Sequence, residues 1–173
     1  MDAVSDPAAI ADGLDHQLDP KVIPLERITG GLSIAVMALG SAIGISFGIL
    51  VGDDLDFLRF LLPILWLATV IAGAWQAYAW PPRAYRHTSY RIDDQGIEIR
   101  KGVYWRVVIN VPRSRVQHID VSQGPIERRF GLGTLVIYTA GTDHAKVQLS
   151  GLEHGRALRI REHLLPSEAG DAV

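Results

Sequence analysis

The 173-residue sequence contains no cysteine. That removes disulfides, zinc–thiolate centres, iron–sulfur clusters and thiol nucleophiles at once. Charge is also missing over a long stretch. Between Gly31 and Trp80 the only charged residues are Asp53, Asp54, Asp56 and Arg59. The two apolar runs on either side of them hold no acid, histidine or lysine that would mark a proton or ion path, so a transporter built from this chain alone is not expected. The six histidines are scattered without metal-ligand spacing. His154 and His163 are nine residues apart, on opposite sides of any helix that holds both.

What is present divides sharply. Hydrophobic residues make up 48% of the chain and concentrate in two uncharged runs of 21 residues, 31–51 and 60–80. As a helix each spans about 32 Å, close to the ~30 Å hydrocarbon core of a bilayer. A spanning backbone must satisfy its hydrogen bonds internally, so both runs are read as helices of a transmembrane hairpin. A secretory signal is a poor alternative: the first run starts some thirty residues in, follows an acidic segment and is too long. The connecting turn, Gly52-Asp53-Asp54-Leu55-Asp56, is acidic. Lys21 and Arg27 precede the hairpin, and Arg83, Arg86 and Arg91 follow it. The positive-inside rule then places both termini in the cytoplasm of a multi-pass protein of the inner cell membrane. Tyr78 and Trp80 are expected as interfacial anchors, and Pro81-Pro82 as the end of the second helix. Gly40, Gly44 and Gly48 form a small-residue stripe, with Ala68 and Ala72 at the same spacing opposite. Packing within the hairpin is preferred to a dimer seam.

Net charge is −2 but unevenly distributed. Residues 1–30 carry −4 and are expected to be a largely disordered cytoplasmic segment, whereas 83–165 carry +6 and read as a folded cytoplasmic domain. A short acidic tail, 166–173, is expected to be disordered. Within the domain the periodicity alternates. Tyr90 and Ile92 lead to an Asp93-Asp94-Gln95-Gly96 turn, and Ile97 and Ile99 alternate with Glu98 and Arg100. Trp105, Val107, Ile109 and Val111 share one face of the next strand, making Trp105 a core or groove aromatic. Strands follow at 115–122, 134–139 and 146–149, with Gln117 on the side of Ile119 and Val121. Ser150-Gly151-Leu152-Glu153 reads as a capping box opening a final helix that buries Ala157, Ile160, Leu164 and Leu165. The fold class is α+β: a two-helix hairpin, then an antiparallel sandwich or barrel of six or seven strands capped by one helix.

The richest polar cluster is Arg113, Arg115 and Gln117 with Arg128, Arg129 and Phe130. Two arginine pairs on adjoining loops can meet anionic lipid, or can pair with Asp120 and Glu127 to hold the turn, and the second reading is preferred. His118 and Asp120 share a strand face, but no nucleophile is placed beside them. Gly131-Leu132-Gly133 lacks the strand-before, helix-after context of a nucleotide fingerprint.

These residues in this order resemble the YdbS-like family of bacterial membrane proteins, which carry a bacterial pleckstrin-homology-like (PH-like) domain. The resemblance runs through Tyr90-Arg91-Ile92, Gly96-Ile97-Glu98-Ile99-Arg100-Lys101-Gly102 and Val111-Pro112-Arg113-Ser114-Arg115-Val116-Gln117. It continues in Gln123-Gly124-Pro125, Arg128-Arg129-Phe130-Gly131-Leu132, Thr139-Ala140-Gly141 and Ser150-Gly151-Leu152. It implies a seven-stranded barrel-like sandwich capped by one helix, and non-enzymatic roles as scaffold or accessory subunit at the cytoplasmic membrane. PH domains that grip phosphoinositides place basic residues around the first hairpin. Here that turn is Asp93-Asp94-Gln95-Gly96, which repels phosphate.

The expectation is therefore a membrane-anchored scaffold or binding module. Its partners would be membrane lipids and another membrane protein or a second copy, and no enzyme activity, cofactor, metal, nucleic acid or small-molecule substrate is expected. The alternative is an accessory subunit of a transport or export complex that gives tolerance to membrane-active compounds.

Overall fold

The computed structural model describes residues 10–51, 56–140 and 146–165. Residues 1–9, 52–55 of the acidic stretch between the apolar runs, 141–145 and 166–173 lie outside the described residues. Two compact units result, one formed by Ile23–Pro82 and the other by Met1–Val22 together with Arg83–Val173.

The first unit is the hairpin. Helix α1 covers Val22–Val51 and α2 covers Asp56–Arg86, each extending beyond its uncharged run. Stretches Val22–Leu50 and Arg59–Arg86 are long and apolar enough to cross a membrane, and neither apolar window is buried in the molecule (0% for both). A core helix of a soluble protein would instead be covered.

Pro81-Pro82 does not end α2, contrary to the expectation; both prolines lie inside it. Proline 82 has no N–H to give the carbonyl of Tyr78 four residues back. The Arg27 Nε of α1 donates to that oxygen at 3.1 Å instead. The guanidinium also lies 4.0 Å from the centre of the Tyr78 ring. A carbonyl orphaned by proline is thus satisfied from the neighbouring helix, which lets α2 continue to Arg86.

The stripe of α1 turned toward α2 holds Gly30, Ile34, Ala38 and Ala42, which are less exposed than their neighbours. A Cβ on Gly30 would meet that of Ala77 at 3.2 Å, and one on Gly73 would meet Ile34 at 3.5 Å. The stripe expected to pack against α2 within the hairpin does not do so: nothing lies within 4 Å of a Cβ at Gly40, Gly44 or Gly48. That stripe is open among the described residues rather than packed against α2. Trp66 Nε1 donates to Ser41 Oγ at 2.9 Å, adding one polar tie between the helices.

The second unit contains two antiparallel sheets. Strands β1 (Asp15–Gln17), β2 (Ser89–Asp93), β3 (Gly96–Lys101) and β4 (Val107–Pro112) form one, in that order. Strands β5 (Val116–Ser122), β6 (Leu132–Thr139) and β7 (Lys146–Glu153) form the other. A short helix α3 (Pro125–Phe130) precedes β6, and α4 (His154–Leu164) ends the domain.

Register explains the core. Tyr90 pairs with Ile99, Ile92 with Ile97, Ile97 with Val111 and Ile99 with Ile109, so every second residue lines one face. All of these are buried, as are Leu132, Leu135, Ile137, Val147, Leu149 and Leu152 of the second sheet. Ala157, Ile160 and Leu164 of α4 close the core over β5, β6 and β7.

The segment expected to be largely disordered before the hairpin includes an edge strand. Asp15, His16 and Gln17 pair with Arg91, Tyr90 and Ser89, while Ile10, Leu18 and Val22 are buried. The hairpin is consequently an insertion between two hydrogen-bonded neighbours, β1 and β2.

Two other expectations change. Ser150 does not cap a helix; β7 runs on to Glu153, and α4 starts at His154 without a side-chain cap. The register slips between Gly133–Leu152 and Thr134–Ser150, leaving Gly151 as the extra residue of a bulge at φ 81°. A second bulge falls between Val116 and His118. It turns Gln117 outward and lets Val116 and Ile119 both face the core, where simple alternation would have put them on opposite sides.

Candidate interaction surfaces

The arginine-rich cluster read from the sequence does not assemble. Arg113 and Arg115 lie in a single 3-10 turn just before β5, and Arg128, Arg129 and Phe130 lie in α3, after it. Seven residues of extended strand separate the two groups, about 20 Å at the usual rise. The arginine pairs therefore occupy opposite ends of β5.

Each end has its own local logic. Arg113 N–H donates to the Gln95 carbonyl at 2.7 Å, and its Nη2 donates to the Leu165 carbonyl at 2.9 Å, closing the end of α4. Arg113 is a structural clamp. Helix α3 opens with Pro125, and Glu127 reaches back to accept the Gly124 N–H at 2.6 Å while also accepting from the Thr134 hydroxyl at 2.9 Å. Gly131 at φ 69° closes the helix. Asp120 is taken by His118 at 2.6 Å, on an exposed face beside Tyr138. Neither acid pairs with an arginine of the expected cluster, so the turn-holding ion pairs are absent among the described residues. Arg115, Arg128, Arg129 and Gln117 present their polar ends to solvent.

The acidic first-hairpin turn has a structural job. Asp93 Oδ1 accepts the N–H groups of both Gln95 and Gly96 at 2.9 Å, an Asx turn that closes β2 onto β3. On the outer face of the sheet, Asp15 bridges Arg91 (3.0 Å) and Arg100 (2.9 Å), and Glu98 holds Arg100 at 2.6 Å. The hydrogen bond to Glu98, with Asp15 beside it, pushes the Arg100 pKa up. This network ties β1 to β2 and β3 although β1 has little apolar surface of its own.

The sequence reading missed the opposite end of the β3–β4 pair. Lys101 pairs with Val107, and Gly102 to Arg106 loop out between them. Gly102 has φ 118°, and a Cβ there would run into the Trp105 carbonyl. Trp105 is 86% exposed and Tyr104 80% exposed, so Trp105 is not a core aromatic as expected. The ladder ends at Lys101–Val107, which leaves Trp105 outside the alternation. Arg86, Lys101 and Arg106 surround a hollow of about 350 Å³ at this end. The signal was present as a glycine followed by two adjacent aromatics between basic residues, Lys101-Gly102-Val103-Tyr104-Trp105-Arg106.

In the hairpin unit, Tyr78 is exposed beneath Arg27, and Trp80 lines a hollow of about 360 Å³ with Glu26 and Gln76. Among the described residues no group of three or more His, Asp or Glu could hold a metal ion.

A four-stranded and a three-stranded antiparallel sheet, capped by a C-terminal helix and joined to apolar membrane helices, define a PH-like domain in a transmembrane protein. The chain belongs to the bacterial PH domain family, whose model matches residues 45–168. It is 30% identical over 105 residues to the UPF0699 transmembrane protein YdbS of Bacillus subtilis (strain 168). That alignment covers 57% of this chain and 64% of the relative, so the chain spans less than two thirds of that protein's length. No solved structure matches the chain.

Proposed function

We propose that this protein is a non-enzymatic, membrane-anchored binding module that presents its PH-like domain to partners at the cytoplasmic face of the bacterial inner membrane. The observation that carries the reading is the insertion of the hairpin between β1 and β2. The domain is held by two covalent connections, at Val22 and at Arg83. Such a double tether keeps it at the surface and raises the effective concentration of anything it meets there, so weak contacts suffice. The pairing of β1 with β2 also requires residues 15–17 and 89–91 to lie on one side of the membrane. That requirement supports an even number of crossings, and the basic flanks support a cytoplasmic domain with both termini inside.

Because the chain has no cysteine, single substitutions Ser5→Cys, Asp54→Cys and Ser167→Cys can be labelled with an impermeant thiol reagent in intact cells. Only Asp54→Cys should react from outside; labelling of either terminal position refutes the sidedness. The module reading is tested by crosslinking in intact cells and purification in mild detergent. Recovery of the chain alone as a monomer, repeatedly, counts against it.

A second reading is an accessory subunit of a membrane transport or export complex giving tolerance to membrane-active compounds. It is favoured by the open stripe of Gly40, Gly44 and Gly48, where a second membrane helix can approach closely. Gly44→Leu should then dissolve the complex and abolish the tolerance, and survival of both rejects this reading.

A further inference from the structure

We infer that the hollow between α1 and α2, near the start of α1, holds a primary ammonium headgroup on a lipid-soluble tail, with the Glu26 carboxylate as its counter-charge. The inference rests on the hairpin alone and needs no protein partner.

The hollow has a volume of about 360 Å³ and is bordered by Glu26, Thr29 and Ser33 of α1 and by Gln76, Trp80 and Pro81 of α2. Three- and four-residue spacing puts each set on one face of its helix. Glu26 comes five residues before Gly31, where the uncharged run begins, a rise of about 7.5 Å. The headgroup layer beside the hydrocarbon core is about 5–8 Å thick. The carboxylate therefore stands at headgroup depth, with Ser33 at the edge of the acyl layer.

The polar groups select the ligand. Glu26 is half-buried, yet its carboxylate makes no hydrogen bond or ion pair among the described residues. The adjacent base, Arg27, is committed to the carbonyl and ring of Tyr78. A charge withdrawn from water without a partner is costly, and a bound cation removes that cost. The hydroxyls define which cation. Thr29 Oγ1 donates to the Leu25 and Glu26 carbonyls, both at 3.1 Å, and Ser33 Oγ donates to the Thr29 carbonyl at 2.8 Å. With their protons spent on the helix backbone, both hydroxyls can only accept. The Gln76 amide oxygen adds another acceptor. A primary ammonium carries three donors and no acceptor, the complement of that set. A trimethylammonium has no N–H to give, and an anionic group would face lone pairs. Met37, one turn beyond Ser33 on the same face, is 74% exposed and offers apolar surface for the tail.

The test uses the full chain in a neutral maltoside detergent with phosphatidylethanolamine and phosphatidylcholine at equal concentration, and counts retained lipid by native mass spectrometry. The expected result is one phosphatidylethanolamine held about tenfold more tightly than phosphatidylcholine, the size of one charge-assisted hydrogen bond. Glu26→Gln preserves the shape of the side chain and should abolish the preference. Ser33→Ala, with the carboxylate intact, should weaken it about threefold. Dodecylammonium should displace the lipid, and dodecyltrimethylammonium should not. Dodecylammonium binding that needs Glu26, without a preference between the two phospholipids, upholds the ammonium site and assigns it to a free cationic amphiphile. Equal retention of both phospholipids with amine binding indifferent to Glu26→Gln overturns the inference. So does a Glu26→Gln chain that binds every probe like wild type but no longer crosslinks to a partner in cells, since the carboxylate then serves a protein.

Discussion

The bond from Arg27 to the Tyr78 carbonyl makes a quantitative prediction about Pro82. The carbonyl is available because proline has no N–H to give it, so Arg27 and Pro82 are energetically coupled although they lie on different helices. Arg27→Met keeps the aliphatic stem but removes the donor. Losing a hydrogen bond from the charged guanidinium to this exposed carbonyl costs about 1.5 kcal/mol, and losing the guanidinium over the Tyr78 ring costs about a further 0.5–1 kcal/mol at a partly exposed site. Pro82→Ala restores the N–H and lets α2 satisfy the same oxygen itself. In that background Arg27→Met should lose only the ring contact. The double-mutant cycle should therefore show a coupling of about 1–2 kcal/mol, against the few tenths expected for independent sites. Hairpin stability can be followed by helical circular dichroism during transfer from mild detergent into sodium dodecyl sulfate mixed micelles. Additive losses would show that Arg27 does not substitute for the missing N–H, and the account of how α2 passes through Pro81-Pro82 would fall with it.

Three further outcomes follow from the domain. Gly151→Ala should destabilise it by about 2–3 kcal/mol, because the bulge holds φ 81° and a Cβ would lie 2.7 Å from Val22 Cγ2; Val22→Ala should recover the clash part of that loss in thermal unfolding, and full tolerance of Gly151→Ala would remove the bulge argument. A soluble fragment of residues 83–165 alone should expose hydrophobic surface and bind dye, whereas residues 10–22 joined to 83–165 through a flexible linker should unfold cooperatively, since Ile10, Leu18 and Val22 are core residues. The carboxyl of Asp12 is held below its ordinary 3.8 by the Leu14 N–H it accepts and by His16. A depressed acid contributes stability above its unfolded pKa and loses it as pH falls through the folded one, so the difference in Tm between wild type and Asp12→Ala should be constant near neutrality and close below about pH 4.

The sequence announced the hairpin through charge exclusion over a bilayer-length run, a signal that needs no tertiary context. It did not announce where the helices stop, because Pro82 is tolerated only when Arg27, 55 positions away, supplies the missing donor. Strands β2 and β3 were readable from alternation, β6 from its apolar, β-branched run, and β7 in its first half. Strand β1 was not: Asp15-His16-Gln17 carries no apolar face and is held by backbone pairing and by arginines over seventy residues distant. Both bulges broke a period that strict alternation assumes, which misplaced Gln117 and turned Ser150, inside β7, into an apparent helix cap. The arginine cluster failed for a related reason. Nearness in sequence on either side of a strand is not nearness in space, since β5 holds its two ends apart. The aromatic loop was overlooked because Trp105 happened to continue the phase of a strand that begins two residues later.

Placing the membrane segment inside a β-sheet also imposes a schedule on biosynthesis. Gln17 leaves the ribosome 72 residues before its partner Ser89, a delay of about 4 to 14 seconds at ordinary elongation rates. Throughout that interval the nascent edge waits unpaired, and on the proposed two-crossing topology it finds its neighbour only after both apolar segments have been handed to the insertion machinery. A chain whose hairpin is mis-threaded strands its first strand in the wrong compartment and never completes the sheet. On that topology maturation of the domain would report on correct insertion, and a quality-control protease that recognises unfinished β-edges would clear the failures without any dedicated sensor.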